Sequence, residues 1–281
     1  MADASKAVLI TGCSTGIGRA TALRLAASGR WTVYATARRL ESIADLEAKG
    51  CRTLALDVVD EASMQAAVTA VEEAEGAVGV LINNAGYSQS GALETLPLDD
   101  LRAQFETNVF GLVRLCQLVL PGMRRQRFGK IVNLSSMGGK LVFPGGGAYH
   151  GTKFAVEAIS DALRFEVRGF GVDVILIEPG LITTNFAETA VGTMEPDDGP
   201  YATFNTAVGT LTAGVYDSPV RHLGGGPDAV AKKIEKAISR RRPRTRYPVT
   251  ASAHLSLFQR KLVTDRMWDR VMGTSFPRPR A

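Results

Sequence analysis

Thr11-Gly12-Cys13-Ser14-Thr15-Gly16-Ile17-Gly18 decides the fold. It follows a buried strand pattern, Ala7-Val8-Leu9-Ile10-Thr11-Gly12, and opens a helical one over Gly16–Ser28 with Ala20, Leu23 and Ala27 on one face. Three glycines at such a strand-to-helix join permit a tight turn. They also let the backbone approach a pyrophosphate, which then rests on the helix N-terminus. No Gly-Lys-Ser/Thr follows, so the turn is not a P-loop. In an open sheet a ligand sits at the carboxyl ends of the strands, beside this turn.

The alternation continues outward. Thr32–Thr36, Thr53–Leu56, Val78–Asn83, Lys130–Ser135 and Val172–Glu178 read as strands bounded by Gly, Asn, Asp or Pro. Helical stretches are expected at 39–49, 60–75, 98–127, 148–169 and 228–240, with a last strand over Arg246–Thr250 and a terminal helix at 252–272. Strand and helix in this order imply right-handed βαβ units. The expected fold is α/β: a Rossmann-type doubly wound parallel sheet in three layers, one domain over 1–281. From 185 to 225 the pattern breaks into Gly and Pro punctuation, read as a variable substrate loop or lid. Residues 226–281 form a basic C-terminal helical extension.

At 281 residues, with 45% apolar and 22% charged residues, the chain is long enough for a sizeable core and is neither disordered nor fibrous. No run approaches the roughly 18 apolar residues of a membrane span, and Met1–Ala7 does not read as a signal peptide. Three scattered cysteines and three distant histidines predict neither a disulfide framework nor a metal site, and a cytoplasmic setting fits. Charge is uneven. Residues 1–220 hold 18 Lys+Arg against 24 Asp+Glu, whereas 221–281 hold 15 against 4. The run Arg240-Arg241-Arg242-Pro243-Arg244-Thr245-Arg246 reads as a solvated helix end and loop. It lacks the interleaved aromatics of a nucleic-acid platform, so no nucleic-acid partner is expected.

Tyr149 and Lys153 stand four apart on an expected helix and so share a face. A free phenol titrates near 10 and is a poor base at neutral pH. An ammonium about 4 Å away, at an effective dielectric of 20, contributes about 4 kcal/mol, roughly three pH units. That is enough to poise the phenol for proton transfer. His150, next to Tyr149, points elsewhere on the helix and reads as structural or pocket-rim. Cys13 reads as a small packing residue.

The TGxxxGxG spacing resembles the short-chain dehydrogenase/reductase family, and further motifs follow in the family's order. They are Asn83-Asn84-Ala85-Gly86, Asn108 in Asn-Val-Phe-Gly, Ser135-Ser136, Tyr149-His150-Gly151-Thr152-Lys153 and Pro179-Gly180-Leu181-Ile182-Thr183-Thr184. The resemblance spans about residues 6–186, with Ser136 thirteen residues before Tyr149. It implies a catalytic set of Asn108, Ser136, Tyr149 and Lys153. Tyr149 would give the proton to a carbonyl oxygen that Ser136 hydrogen-bonds, while Lys153 lowers the phenol pKa and Asn108 sustains a water chain. It also implies that Gly12, Ser14, Thr15, Gly16, Ile17 and Gly18 hold the pyrophosphate. Asp57 and Val58 would flank the adenine, with Asn83, Ala85 and Gly86 at the adenosine ribose. Tyr149 and Lys153 belong to the nicotinamide end, where Pro179, Gly180, Ile182 and Thr184 close the site and Ile182 and Thr184 hold the carboxamide.

The second strand ends Tyr34-Ala35-Thr36-Ala37-Arg38-Arg39, without the acid that binds a ribose 2′-hydroxyl. A guanidinium there suits a 2′-phosphate, so Arg38 is the expected clamp and NADP(H) the expected cofactor. Tyr87, Met137, Val142, Phe143, Leu181 and Phe186 would line the pocket, with Tyr201, Phe204, Val208, Leu211 and Tyr216 from the lid. Such a lining suits a small lipophilic ketone or secondary alcohol. The turn and Val33–Thr36 resemble the hydroxysteroid and retinol dehydrogenase branch. Family precedent suggests a homo-oligomer. The competing reading is a non-catalytic NADP-sensing regulator, but such proteins lose the active-site Tyr or Lys, and both stand here.

Overall fold

The computed structural model describes residues 4–184, 186–192, 194, 198–215 and 219–279, the side chains of 187, 188, 219 and 220 excepted; Tyr216 lies outside them. Seven strands form one parallel sheet: β1 (Ala7–Ile10), β2 (Thr32–Ala37), β3 (Arg52–Ala55), β4 (Val80–Asn83), β5 (Gly129–Leu134), β6 (Val172–Pro179) and β7 (Arg246–Val249). Their order is β3-β2-β1-β4-β5-β6-β7, so the winding reverses between β1 and β4. Ile10 pairs with Ala35 on one side and Ile82 on the other. The connections leaving β1 and β4 run to opposite faces of the sheet at that reversal and leave the crevice where ligands bind in such sheets.

Both sheet faces are covered. One carries α1 (Gly16–Ala27), and the other α2 (Glu61–Glu75), followed by α3 (Leu98–Phe105), α4 (Gly111–Gln126) and α5 (Gly147–Val167). Short α6 (Phe186–Gly192) and α7 (Ala202–Gly214) follow β6. Then α8 (Pro227–Ile238) returns to the α1 side, and α9 (Ala251–Leu262) and α10 (Asp265–Met272) close the chain. On the first face Val8, Ile10, Leu25, Ile82 and Ile234 are fully buried; on the second Leu9, Leu81, Leu115, Met123 and Val156 are. Each such side chain contributes about 1.5–3 kcal/mol of burial, which explains why the central strands read as unbroken apolar runs.

Three expectations need correction. The helix at 39–49 is two 3₁₀ turns, Leu40–Ser42 and Ala44–Lys49. Only Ile43 and Leu46 bury there, too few for a regular helical face. The helix at 98–127 is α3 and α4 joined by a π-helical turn, Glu106–Phe110. The segment 185–225 is helical over α6 and α7 rather than loop-like. Its glycines and threonines hid the period because α7 buries only Asn205 and Val208. The basic run also divides. Arg240, Arg241, Arg242 and Arg244 are exposed as expected, but Arg246, at the start of β7, turns inward onto carboxylates.

Candidate active site

The glycine turn is held in a conformation few other residues adopt. Gly12 has φ +71° and Gly16 φ +58°. A Cβ on Gly18 would lie 2.3 Å from the Gly12 carbonyl oxygen and 2.5 Å from Asn84 Nδ2, so helix α1 approaches the turn as closely as backbone allows. Asn84 fastens the turn to β4, its Nδ2 donating to the carbonyls of Thr11 (2.9 Å) and Gly12 (3.0 Å). Thr11 Oγ1 accepts from the N–H groups of Asn84 (3.0 Å) and Ala85 (2.9 Å). Sequence reasoning assigned these two residues no role. Their signal was position, one at each end of the glycine motifs. Ser14 and Thr15 are exposed, Thr15 makes no side-chain cap, and the first turn of α1 holds no acid. Its leading N–H groups thus remain open to an anion. Thr184 brings the loop after β6 to this turn, its Cγ2 lying 3.5 Å from where a Gly16 Cβ would stand.

The Cys13 amide donates to the Thr36 carbonyl at 2.8 Å and seats the end of β2 beside the turn. Arg38 follows at once, exposed, with no hydrogen bond or ion pair among the described residues. Arg39 is also exposed, and its carbonyl closes the 3₁₀ turn at Ser42. Asp57 accepts from the Val59 amide at 3.2 Å, and Val58 is buried with its carbonyl where a side chain on Gly111 would be. The Asn83 side chain is buried and donates to Asn133 at 2.9 Å, in a chain that continues to Ser160. Cys13 is buried, which pushes its thiol up to about 12 and makes it a packing residue.

Ala85 and Gly86 continue from β4 to Tyr87, where Asn108 waits. The π turn sets Asn108 so that its Oδ1 accepts from the Tyr87 amide (3.0 Å) and its Nδ2 donates to the Tyr87 carbonyl (2.9 Å) and Thr152 Oγ1 (3.1 Å). Such turns cluster at functional sites, where the extra residue re-aims a side chain. Gly86 allows this approach: a Cβ there would be 2.8 Å from Asn108 Oδ1 and 4.0 Å from Lys153 Nζ.

Lys153 is buried and donates to the Leu134 carbonyl at 2.7 Å. Burial holds its ammonium down to about 8, against an upward pull from Glu157. Its Nζ lies 5.7 Å from the ring centroid of Tyr149, one helical turn earlier on α5. Tyr149 is half-buried, with Phe186 edge-on at 5.3 Å. Ser136, just past β5, accepts from the Gly138 amide at 3.0 Å, which leaves its own hydroxyl proton free to donate. Asn108, Tyr149 and Lys153 are thus linked through Thr152, Gly86 and the contact between phenol ring and ammonium, and Ser136 follows the strand whose Leu134 carbonyl holds Lys153.

His150 is structural, as expected. Its Nδ1 pairs with the Gly138 carbonyl (2.9 Å) and its Nε2 accepts from the Phe143 amide (3.2 Å), and burial lowers its pKa. It braces the loop carrying Ser136 from beneath. Pro179 ends β6, and Gly180 is required by α9: a Cβ there would be 2.4 Å from Ser252 Oγ. Ile182 is buried and bridges to Gly225.

Helices α6 and α7 follow β6, and Phe186 at the start of α6 meets the Tyr149 ring. Asn205 Oδ1 accepts from the Ala92 amide at 2.9 Å, and Val208 fills the space beside Gly145. A separate cleft of about 500 Å³ lies between another face of α7 (Ala202, Thr206, Thr210, Leu211) and Pro277; Leu211, expected in the substrate pocket, lines this cleft, which touches none of the catalytic or cofactor-binding residues. Among the described residues there is no metal-binding cluster and no helix long and apolar enough to cross a membrane.

A second group of charges, unforeseen in the sequence, sits behind Lys153. Glu157 and Glu178 are buried carboxylates. Arg246 reaches Glu157 at 3.0 Å, Asp161 at 2.6 Å and Glu178 at 3.3 Å, and Lys140 reaches Glu157 at 3.0 Å.

The family profile described as short chain dehydrogenase matches residues 6–194. A 3-ketodihydrosphingosine reductase of Bacteroides thetaiotaomicron is 42% identical over 182 residues, 64% of this chain and 65% of that protein. An NADPH-dependent 3-dehydrocapnine reductase of Ornithobacterium rhinotracheale is 35% identical over 94% of each chain. Among solved structures, a short-chain dehydrogenase from Streptomyces avermitilis superposes with a TM-score of 0.80 at 34% identity, covering 98% of this chain and 96% of that one.

Proposed function

Because the chain belongs to the short-chain dehydrogenase family, we propose that it is an NADP(H)-dependent oxidoreductase acting on a lipophilic ketone or the matching secondary alcohol. The observation that carries this reading is the Tyr149–Lys153 pair, a desolvated ammonium beneath a phenol at the mouth of the crevice. The residues present fit the cofactor. The glycine turn and open N-terminus of α1 would take its pyrophosphate, Arg38 its 2′-phosphate, and Lys153 and Thr184 its nicotinamide end.

The bound nicotinamide supplies the hydride at its C4. The chain supplies the proton and its placement. Tyr149 gives its hydroxyl proton to the carbonyl oxygen, and Ser136 donates a hydrogen bond to that oxygen. The nearby Lys153 charge favours the phenolate left behind. Asn108, both amide protons engaged by Tyr87 and Thr152, fixes the floor between Gly86 and Lys153 and offers its oxygens to a water chain toward the lysine.

Tyr87, Met137, Phe143, Leu181 and Phe186 are partly buried around this mouth and carry no charge. That lining favours a lipophilic substrate of the kind handled by hydroxysteroid and retinol dehydrogenases. The 3-keto and 3-dehydro reductases among the relatives favour the direction of ketone reduction. Segment 185–225 acts as the lid. A non-catalytic sensor would not need all four groups. Exposed Phe110, Phe154 and Phe165 favour assembly with further copies of the chain. Steady-state rates with NADPH and NADH across a panel of ketones of graded hydrophobicity test the reading. NADPH preference of at least about tenfold, with kcat/KM rising with chain length or ring count, is expected. Turnover confined to charged or phosphorylated ketones, or to NADH, would overturn it.

A further inference from the structure

Lys153 does not act alone. One turn further along α5, Glu157 lies on the same face and is buried with it. Its Oε2 takes both Arg246 and Lys140, but its Oε1 has no hydrogen-bond partner, and Glu178 Oε1 meets Arg246 Nε at 3.3 Å without a hydrogen bond. Gly139 makes room for this carboxylate under the Ser136 loop, since a Cβ there would lie 2.9 Å from Glu157 Cγ and 3.0 Å from the Lys153 carbonyl. The groups facing Glu157 are thus Lys153 and Asp161 on α5, Lys140 on the loop after β5, Glu178 on β6 and Arg246 on β7. Arg164 pairs with Asp161 at the outer edge. Two acids packed together in a dry site resist ionising simultaneously.

We propose that Glu157, paired with Glu178 and clamped by Arg246 and Lys140, is a positioning residue that keeps the ammonium of Lys153 charged in a site dry enough to discharge it. The inference rests on the roles given to Tyr149 and Lys153 above. Burial alone drives the lysine toward its neutral amine, and Glu157 is the charge that opposes this. Glu178 grades the effect. Burial and the Glu157 charge beside it push its carboxyl up, so its own negative charge arrives at higher pH than an ordinary carboxylate's, as rising pH begins to threaten the lysine's proton. The result is a catalytic lysine whose charge persists further into the alkaline range.

The test is the pH profile of kcat/KM for NADPH-driven ketone reduction between pH 6 and 10, in the full-length wild type and in Glu157→Gln and Glu178→Gln. A unit charge about 6 Å away at an effective dielectric of 20 amounts to roughly two pH units, and Arg246 and Lys140 offset part of it. Glu157→Gln is therefore expected to move the alkaline limb down by about one pH unit. Rates near pH 6 should stay within about threefold, and Glu157→Asp should restore the limb. A shift below half a pH unit, or an equal loss at every pH, overturns the proposal. If Glu157→Gln does not fold, Glu178→Gln decides, because it mimics the protonated acid. Its profile should follow wild type at pH 6 and fall increasingly below it toward alkaline pH. Superimposed profiles overturn the proposal. A Tyr149→Phe enzyme that still turns over defeats the proposed function itself. An inactive Tyr149→Phe with an unmoved Glu157→Gln limb defeats only this inference.

Discussion

Lys153→Met separates catalysis from stability at a single buried position. Burial holds the lysine at about 8 in the fold, against about 10.4 in an unfolded chain. At neutral pH the native protein therefore carries a charged group that it disfavours by about 3 kcal/mol relative to the unfolded state. The sign follows from proton binding. Between pH 8 and 10.4 the unfolded chain holds the lysine's proton and the folded one has released it, so wild-type stability rises with pH across that window. Methionine has the stem without the charge and removes this dependence, at the cost of the hydrogen bond to the Leu134 carbonyl. Urea unfolding of wild type and variant at pH 7 and pH 10.5 gives the measurement as a double difference, in which other titrating groups cancel. The variant's stability relative to wild type should be about 3 kcal/mol better at pH 7 than at pH 10.5, while ketone reduction falls at least about a hundredfold. Parallel pH dependence within about 0.5 kcal/mol would show that the lysine is not desolvated. The argument that its charge tunes Tyr149 would then fail.

Arg38→Ala should raise the KM for NADPH roughly tenfold to a hundredfold more than that for NADH, from the loss of an exposed charge-assisted contact of about 1.5–3 kcal/mol. The preference should fade with added salt, and Ala37→Asp combined with it should invert it; equal loss for both cofactors would refute the assignment. Gly18→Ala forces a methyl to within 2.3 Å of the Gly12 carbonyl oxygen and 2.5 Å of Asn84 Nδ2. It should weaken NADPH binding, measured by fluorescence titration, and lower unfolding stability by about 1–3 kcal/mol. Proteolysis within 185–225 should slow when NADPH and a ketone are present together, as expected of a closing lid. Identical cleavage rates with and without them would count against it.

The parts of the site that were legible in the sequence are those where one residue type answers one physical demand. Gly12 and Gly18 announce close backbone approach, Tyr149 and Lys153 a shared helical face, and Ala37-Arg38 the absence of an acid. The parts that were hidden depend on contacts between distant elements. Arg246 reads as the end of an exposed basic run, yet β7 pairing with β6 carries it onto Glu157 and Glu178. A clue was available in Glu178, an acid ending the apolar strand Val172–Pro179. The side-chain hydrogen bond of Asn83 to Asn133, its register partner on β5, was equally hidden, because it depends on which strand pairs with β4. The π turn at Asn108 left no trace in the helical period. Helix α7 was hidden for a different reason. Phe204, Val208 and Leu211 stand at helical spacing, but Ala, Thr and Gly fill most of the rest and only Asn205 and Val208 bury, so the stripe was too thin to outweigh the glycines around it.

The most direct test of the central claim is Tyr149→Phe, which removes a single oxygen from a half-buried ring and leaves its packing against Phe186 in place. Single-turnover reduction of the best ketone by NADPH should slow at least about a hundredfold, the scale of general acid catalysis, while NADPH affinity and thermal stability stay at wild-type values. Turnover near the wild-type rate, with the fold and cofactor binding intact, would mean that another group delivers the proton and would contradict the account.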